Sequence, residues 1–111
     1  MHLIKQTLIS FFNQVAQKNK IQLENIKQEA CFELEQERWY FTLPDLHSFL
    51  QRQNNVFRCI NYKKFRKLIY STPINQSIKV YDAEIIIIHN QGKVDKSIYA
   101  MVWQAKRKLT S

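Results

Sequence analysis

Two apolar runs on either side of the chain's single glycine constrain the fold most strongly. The first run, residues 84–89, contains four consecutive isoleucines, and the second, residues 97–103, is apolar after its first residue. β-Branched residues favour strands, and the first run is too short for a lone helix. Gly92 lies in the polar segment between the runs, where a tight turn needs positive φ. The sequence therefore predicts an antiparallel β-hairpin with its tip at residues 90–97.

Three other segments have the apolar spacing of amphipathic helices. In the first, from about residue 3 to 18, apolar residues recur at intervals of one, three and four. The second, at about 43–52, follows Thr42, which can act as its N-cap. The third, at 61–71, follows the same rule with Asn61 as the capping residue and ends before a proline.

The segments between these elements are harder to interpret. Aromatic and alternating residues predict a strand at 31–41, with a possible bend at 36–37. Residues 19–30 are open to three interpretations: a continuation of the first helix, a loop or a short strand. We expect residues 53–60 and 72–83 to be polar connectors.

Length and composition favour one α+β domain over residues 1–111. The chain is 45% hydrophobic and 13% aromatic, which is enough apolar surface for a single core. We expect Trp39, Tyr40 and Trp103 to lie in that core because they fall within apolar strands. A chain with such a core does not need a disulfide, so Cys31 and Cys59 are expected to be buried free thiols.

No part of the sequence looks like a membrane span or a secretory signal. No run approaches the roughly 20 apolar residues that a span requires. The first residues contain one lysine before a short apolar patch, and no small-residue cleavage site follows. We therefore expect a soluble, cytoplasmic protein with no membrane partner.

Charge is divided unequally along the chain. The net charge is +8, yet the first 56 residues contain six basic and six acidic residues and are neutral overall. The remaining residues hold eleven of the seventeen Lys and Arg and only three of the nine acids, and they include a basic tail at 104–111. Such a single-sign region favours an anionic partner, which could be nucleic acid, an acidic protein or a membrane face.

The sequence shows no convincing catalytic or metal site. A single glycine excludes both the GxxxxGK[ST] phosphate loop and the GxGxxG dinucleotide fingerprint. His2, His47 and His89 are scattered and lack metal-ligand spacing with Cys31 or Cys59. A nucleophile pair of Cys59 with His47 or His89 is conceivable in space, but a satisfied histidine and a buried thiol explain these residues more simply. We expect a non-enzymatic protein with no cofactor and no metal.

The resulting order is helix, strand, helix, helix, strand, strand, with a basic third helix before the hairpin. It resembles the winged-helix branch of the helix-turn-helix DNA-binding domains over most of residues 3–103. In that family the third helix enters the major groove and the hairpin, or wing, lies along the DNA backbone or minor groove. The resemblance implies a duplex-DNA-binding protein that acts as a small regulator.

The resemblance also implies a set of DNA-contacting residues on the third helix and the hairpin tip. Arg66 is the candidate for reading a base, because its planar fork can bond guanine bidentately. With roughly six phosphates neutralised, log affinity should fall against log salt with a slope of about −5. The implied contact residues are Asn61, Tyr62, Lys63, Lys64, Arg66, Lys67, Lys93 and Lys96.

Two other interpretations stand beside DNA binding. The basic residues of the third helix could simply form a solvated face. Alternatively, the chain could be a protein-interaction module, an adaptor or inhibitor that recognises an acidic partner with its basic half. A homodimer through the helix at 3–18 is a further possibility.

Overall fold

The chain folds as a mixed α+β structure in which helices cover one face of an antiparallel sheet. A computed structural model describes residues 2–89, 92 and 96–103. The helices are α1 (His2–Ala16), α2 (Lys20–Lys27), α3 (Leu43–Gln53), α4 (Tyr62–Ser71) and α5 (Ile74–Ile78). The strands are β1 (Glu33–Leu34), β2 (Arg38–Phe41), β3 (Ala83–His89) and β4 (Ile98–Trp103), and short 3-10 helices occupy Asn55–Cys59 and Lys79–Tyr81.

The predicted C-terminal hairpin is confirmed for the residues that the structure describes. Strands β3 and β4 pair antiparallel from Ala83 opposite Trp103 to His89 opposite Ile98. Gly92 has a φ of +80°, the left-handed conformation predicted for the turn. The rest of the predicted tip, residues 90, 91 and 93–95, lies outside the described residues.

The sheet has the order β1-β2-β4-β3, so β4 lies between β2 and β3. The single strand predicted at 31–41 is two strands, β1 and β2, which pair antiparallel with Glu33 opposite Tyr40. The Glu35 N–H donates to the Arg38 carbonyl at 2.7 Å and closes the turn at the predicted bend. Residues 36–37 thus form the tight turn of a β1–β2 hairpin. Strand β2 pairs with β4 along its other edge.

Residues 19–30, which the sequence left open, form a separate helix, α2, instead of extending α1. The break lies at Lys18, which has a φ of 60°. The Lys18 and Asn19 N–H groups donate to the carbonyls of Val15 and Gln14 at 2.8 and 2.9 Å, the pattern of a Schellman C-cap. The Asn19 side chain then accepts from the N–H of Gln22 and begins α2. A lysine here takes a conformation usually given to glycine, so the sequence did not reveal the boundary.

The segment 72–83 was expected to be a connector, but it contains α5 and a 3-10 helix. Ile74 and Ile78, one helical turn apart, are buried beneath a polar surface. The Asn75 side chain pairs with the free edge of β3: its amide donates to the Ile85 carbonyl at 3.0 Å and its oxygen accepts from the Ile85 N–H at 2.7 Å. The predicted element order is therefore incomplete, because it lacks α2, α5 and the second strand of the 31–41 segment.

One core joins the helices to the sheet. Trp39 on β2 is fully buried, with its ring centroid 4.6 Å from that of Phe41 and 5.4 Å from that of Phe32. Trp103 is also buried, and its indole N–H donates to the Ala16 carbonyl at 2.9 Å. The predicted core positions of these tryptophans are confirmed, whereas Tyr40 is only half-buried.

The apolar face of α1 is used inside the chain. Leu8, Phe12 and Val15 are fully buried in the core. The homodimer through this helix stays a prediction, and it would have to use the outer face, where Leu3 is exposed. No helix among residues 2–89 or 96–103 is long and apolar enough to cross a membrane.

We predict that Leu8→Ala lowers the free energy of unfolding by about 2–5 kcal/mol, because it removes a packed side chain and leaves a cavity. Leu3→Ala makes the same change on the same helix at a side chain that is 64% exposed, whereas Leu8 is 0% exposed. The control should change stability by less than about 0.5 kcal/mol. Urea denaturation followed by circular dichroism measures both, and equal losses in the two variants would contradict this packing of α1.

Candidate nucleic-acid interface

Helix α4 has an apolar face that packs on the core and a basic face that is open to solvent. It begins at the cap predicted from the sequence, where the Asn61 side-chain oxygen accepts from the Lys64 N–H at 2.9 Å. Phe65 and Leu68, at helical spacing, are buried. The exposed side carries three lysines, Lys63, Lys64 and Lys67, which we call the α4 lysine face.

Arg66 lies at the margin of the α4 lysine face. Its side chain is half-buried, and the guanidinium carbon lies 6.0 Å from the centre of the Tyr62 ring. Tyr62 is itself half-buried, with its ring centroid 5.8 Å from that of His47 on α3. Arg66 and Tyr62 thus pack partly against the protein, and Asn61 is engaged in capping, so these three predicted contact residues differ from the exposed lysines.

The connector between α3 and α4 is held to α3 by side-chain hydrogen bonds. The His47 Nε2 atom lies 3.2 Å from the Ile60 carbonyl oxygen, and because a carbonyl can only accept, Nε2 carries the proton. Gln51 donates to the Phe57 carbonyl at 3.4 Å, and the Arg58 Nε donates back to the Gln51 carbonyl at 3.1 Å. The segment expected to be a polar connector contains a 3-10 helix, Asn55–Cys59, which these side chains hold against α3.

The other end of α4 is tied to the hairpin. The hydroxyl groups of Tyr70 on α4 and Tyr99 on β4 are hydrogen-bonded to each other. Beyond this contact, Lys96 at the start of the returning strand is exposed. Lys93, predicted to contact the DNA backbone from the tip, lies outside the described residues.

The α4 lysine face has no acidic partner in the part of the chain that the structure describes. The two ion pairs found among these residues join Arg52 to Glu29 and Lys27 to Glu24, all outside α4. Self-repulsion among unpaired lysines makes a nearby anion favourable. A face of this kind can bind phosphate or carboxylate groups.

The thiols do not lie where the sequence predicted. Cys31 and Cys59 are free, as expected, but both are exposed, Cys31 in the turn between α2 and β1 and Cys59 at the end of a 3-10 helix. Partial desolvation, together with the carboxylates of Asp45 and Glu29, raises the pKa of the Cys31 thiol. His47 is buried and uses Nε2 on a backbone carbonyl. No group of three potential metal ligands occurs within residues 2–89 and 96–103.

Comparison with known proteins does not assign the chain to a family. No protein family, curated protein or solved structure matches the chain. The winged-helix resemblance stays a prediction, and the function has to be inferred from the side chains that the structure describes.

We predict that Cys31 alkylates more slowly at neutral pH in the folded protein than in the unfolded chain. A raised pKa keeps the thiol protonated to higher pH, and the thiolate is the reactive form. In a Cys59→Ser variant, the midpoint of the iodoacetamide rate against pH should lie higher in buffer than in urea. Asp45→Asn removes one of the charges and should lower the folded midpoint; a folded midpoint at or below that of the unfolded chain would contradict this environment.

Proposed function

We propose that the chain binds duplex DNA through α4, with the β3–β4 hairpin as a second contact. The observation that carries the proposal is the α4 lysine face: Lys63, Lys64 and Lys67 are exposed together on a helix whose opposite side is buried. DNA presents a dense row of phosphates, and lysines that neutralise them release condensed counterions. Because one duplex can offer a phosphate to each of the three lysines, all three contacts add to the affinity for DNA.

The dimensions of α4 suit a groove. An α-helix is about 10–12 Å across with its side chains, and the major groove of B-DNA, about 12 Å wide, admits one such helix. Lysines contact phosphates without reading sequence, whereas Arg66 could bond a guanine edge only by moving off the Tyr62 ring. We therefore expect binding dominated by backbone contacts, with limited sequence discrimination.

The finer assignment, a winged-helix arrangement, is supported by three features. Helices α3 and α4 are consecutive in the chain, as the two helices of a helix-turn-helix are, although residues 54–61 form a longer connection than the turn of about three or four residues in that motif. The β3–β4 hairpin follows α4, and β2 adds a third strand beside β4. In this arrangement Lys93 and Lys96 would contact the backbone from the wing, while α2, β1 and α5 would be additions.

Rigidity of the α3–α4 unit favours binding. Side chains of His47 and Gln51 hold the connector, and Asn61 caps the first turn of α4. A helix that is already ordered loses little conformational freedom on binding, so more of the phosphate contact energy appears as affinity.

The test is fluorescence anisotropy of a labelled random-sequence duplex at several salt concentrations. We predict micromolar binding at low salt and a log–log slope of about −5. Lys63→Glu with Lys67→Glu should weaken binding by roughly 10- to 100-fold and reduce the magnitude of the slope by about 2 units, because two phosphate contacts are lost. The matched control, Lys5→Glu with Lys20→Glu, changes net charge equally on α1 and α2 and should retain most of the affinity.

The controls separate DNA binding from other uses of the same charge. Polyglutamate and single-stranded DNA serve as competing anions. No duplex binding at low salt, or equal loss in both double variants, would overturn the proposal. Preference for polyglutamate over duplex would instead favour an acidic protein partner.

A further inference from the structure

A groove of about 480 Å³ lies between the α4–α5 segment and the sheet. Its floor is formed by core side chains, among them Phe12, Phe41 and Leu43. Among the described residues, no lysine, arginine, aspartate, glutamate or histidine lines it, although the chain carries a net charge of +8. The volume falls in the range of small-molecule sites, which are concave and mostly apolar.

The groove exists because the helices do not cover the whole inner face of the sheet. Ile87 on β3 is paired with Tyr99 on β4, so the two side chains project from the same face. Tyr99 is 5% exposed, whereas Ile87 is 50% exposed. An apolar side chain on the core face is thus left open, and covering it with another apolar surface would be favourable.

Several polar side chains on the groove wall are already hydrogen-bonded within the protein, while Gln76 keeps an exposed amide at its rim. The Thr72 hydroxyl donates to the Leu68 carbonyl at 2.6 Å, and the Asn75 amide is used on Ile85. The Tyr70 hydroxyl is paired with that of Tyr99, and either can be the donor. A hydroxyl has two acceptor sites, so Tyr70 keeps at least one lone pair whichever way the bond runs.

We propose that this groove binds a small uncharged molecule, mostly aromatic or alkyl, that donates one N–H or O–H to Tyr70. The apolar floor favours the body of such a molecule, and the lone pair of Tyr70 orients its single donor. A charged ligand would lose its hydration there without gaining a counter-charge. The proposal concerns a different surface from the α4 lysine face and does not depend on DNA binding.

The test uses two fluorescent probes with the same ring system. N-phenyl-1-naphthylamine is uncharged and has one N–H donor, whereas 1-anilinonaphthalene-8-sulfonate carries an added negative charge. The uncharged probe should bind in a 1:1 complex with enhanced fluorescence, and raising the salt concentration should leave its affinity unchanged. Absence of saturable binding up to its solubility limit would overturn the proposal, as would tighter binding of the sulfonate that weakens with salt.

Paired variants on β3 locate the bound probe. Ile87→Trp fills the groove with a larger side chain and should weaken binding of the uncharged probe at least tenfold. Ile88→Trp introduces the same side chain at the next residue, which is 39% exposed and does not line the groove, and should leave the affinity unchanged. Equal binding to the two folded variants would mean that the probe binds elsewhere.

Isoleucine methyl NMR of the unmodified protein gives a second readout that needs no variant. On titration with N-phenyl-1-naphthylamine, the methyl signals of Ile69, Ile74, Ile85 and Ile87 should shift together with one dissociation constant. Ile21 on α2 is 71% exposed, does not line the groove and should not shift. Shifts confined to Ile21 and other exposed residues outside the groove would overturn the assignment.

Discussion

Strand β4 organises the fold because it is hydrogen-bonded along both of its edges. It pairs with β2 on one side and β3 on the other, and its inward residues Tyr99, Met101 and Trp103 are buried. The Trp103 indole also donates to the Ala16 carbonyl, and the Lys18 ammonium lies 5.0 Å from the centre of the same indole. The Trp103 side chain therefore fixes the end of α1 on the sheet. It also contacts Lys18, the residue with positive φ that separates α1 from α2. The helical layer packs on a surface that is complete only when β4 is in place.

The two candidate sites both follow from how α4 sits on this surface. Phe65 and Leu68 face inward, so the three lysines of the α4 lysine face must face solvent. Towards its end, α4 is joined to β4 through the tyrosine hydroxyls, and there the helices leave Ile87 of β3 uncovered. A charged outer face and an uncharged groove thus belong to the same short helix. The lysine face is charged because it lies on the solvent side of α4. The groove is apolar because it is a part of the core that the helices leave open.

The sequence predicted the parts of the fold that local chemistry determines. Thr42 and Asn61 mark the starts of α3 and α4 because a capping side chain acts within three residues, and Gly92 marks the turn by its φ. Helix α2 was not predictable in the same way: Ile26 is its one fully buried residue, and tertiary contacts such as the hydrogen bond from the Gln22 amide to the Gln14 side-chain oxygen on α1 hold it. The lysine face was visible as a charge pattern. The groove was not, since its walls come from segments whose relative position only the packed structure determines.

Asn75 takes the place of a further strand at the outer edge of β3. Its side-chain amide presents one donor and one acceptor to Ile85, as a neighbouring backbone would, and so blunts an edge that could otherwise recruit another chain. Asparagine is among the less durable residues chemically. Deamidation to aspartate would remove the donor and set a carboxylate against the Ile85 carbonyl, releasing the edge beside the exposed Ile87 and Ile88. Stored protein would then form fibres more readily as deamidation of Asn75 accumulates, and each deamidated chain would be heavier by about one mass unit.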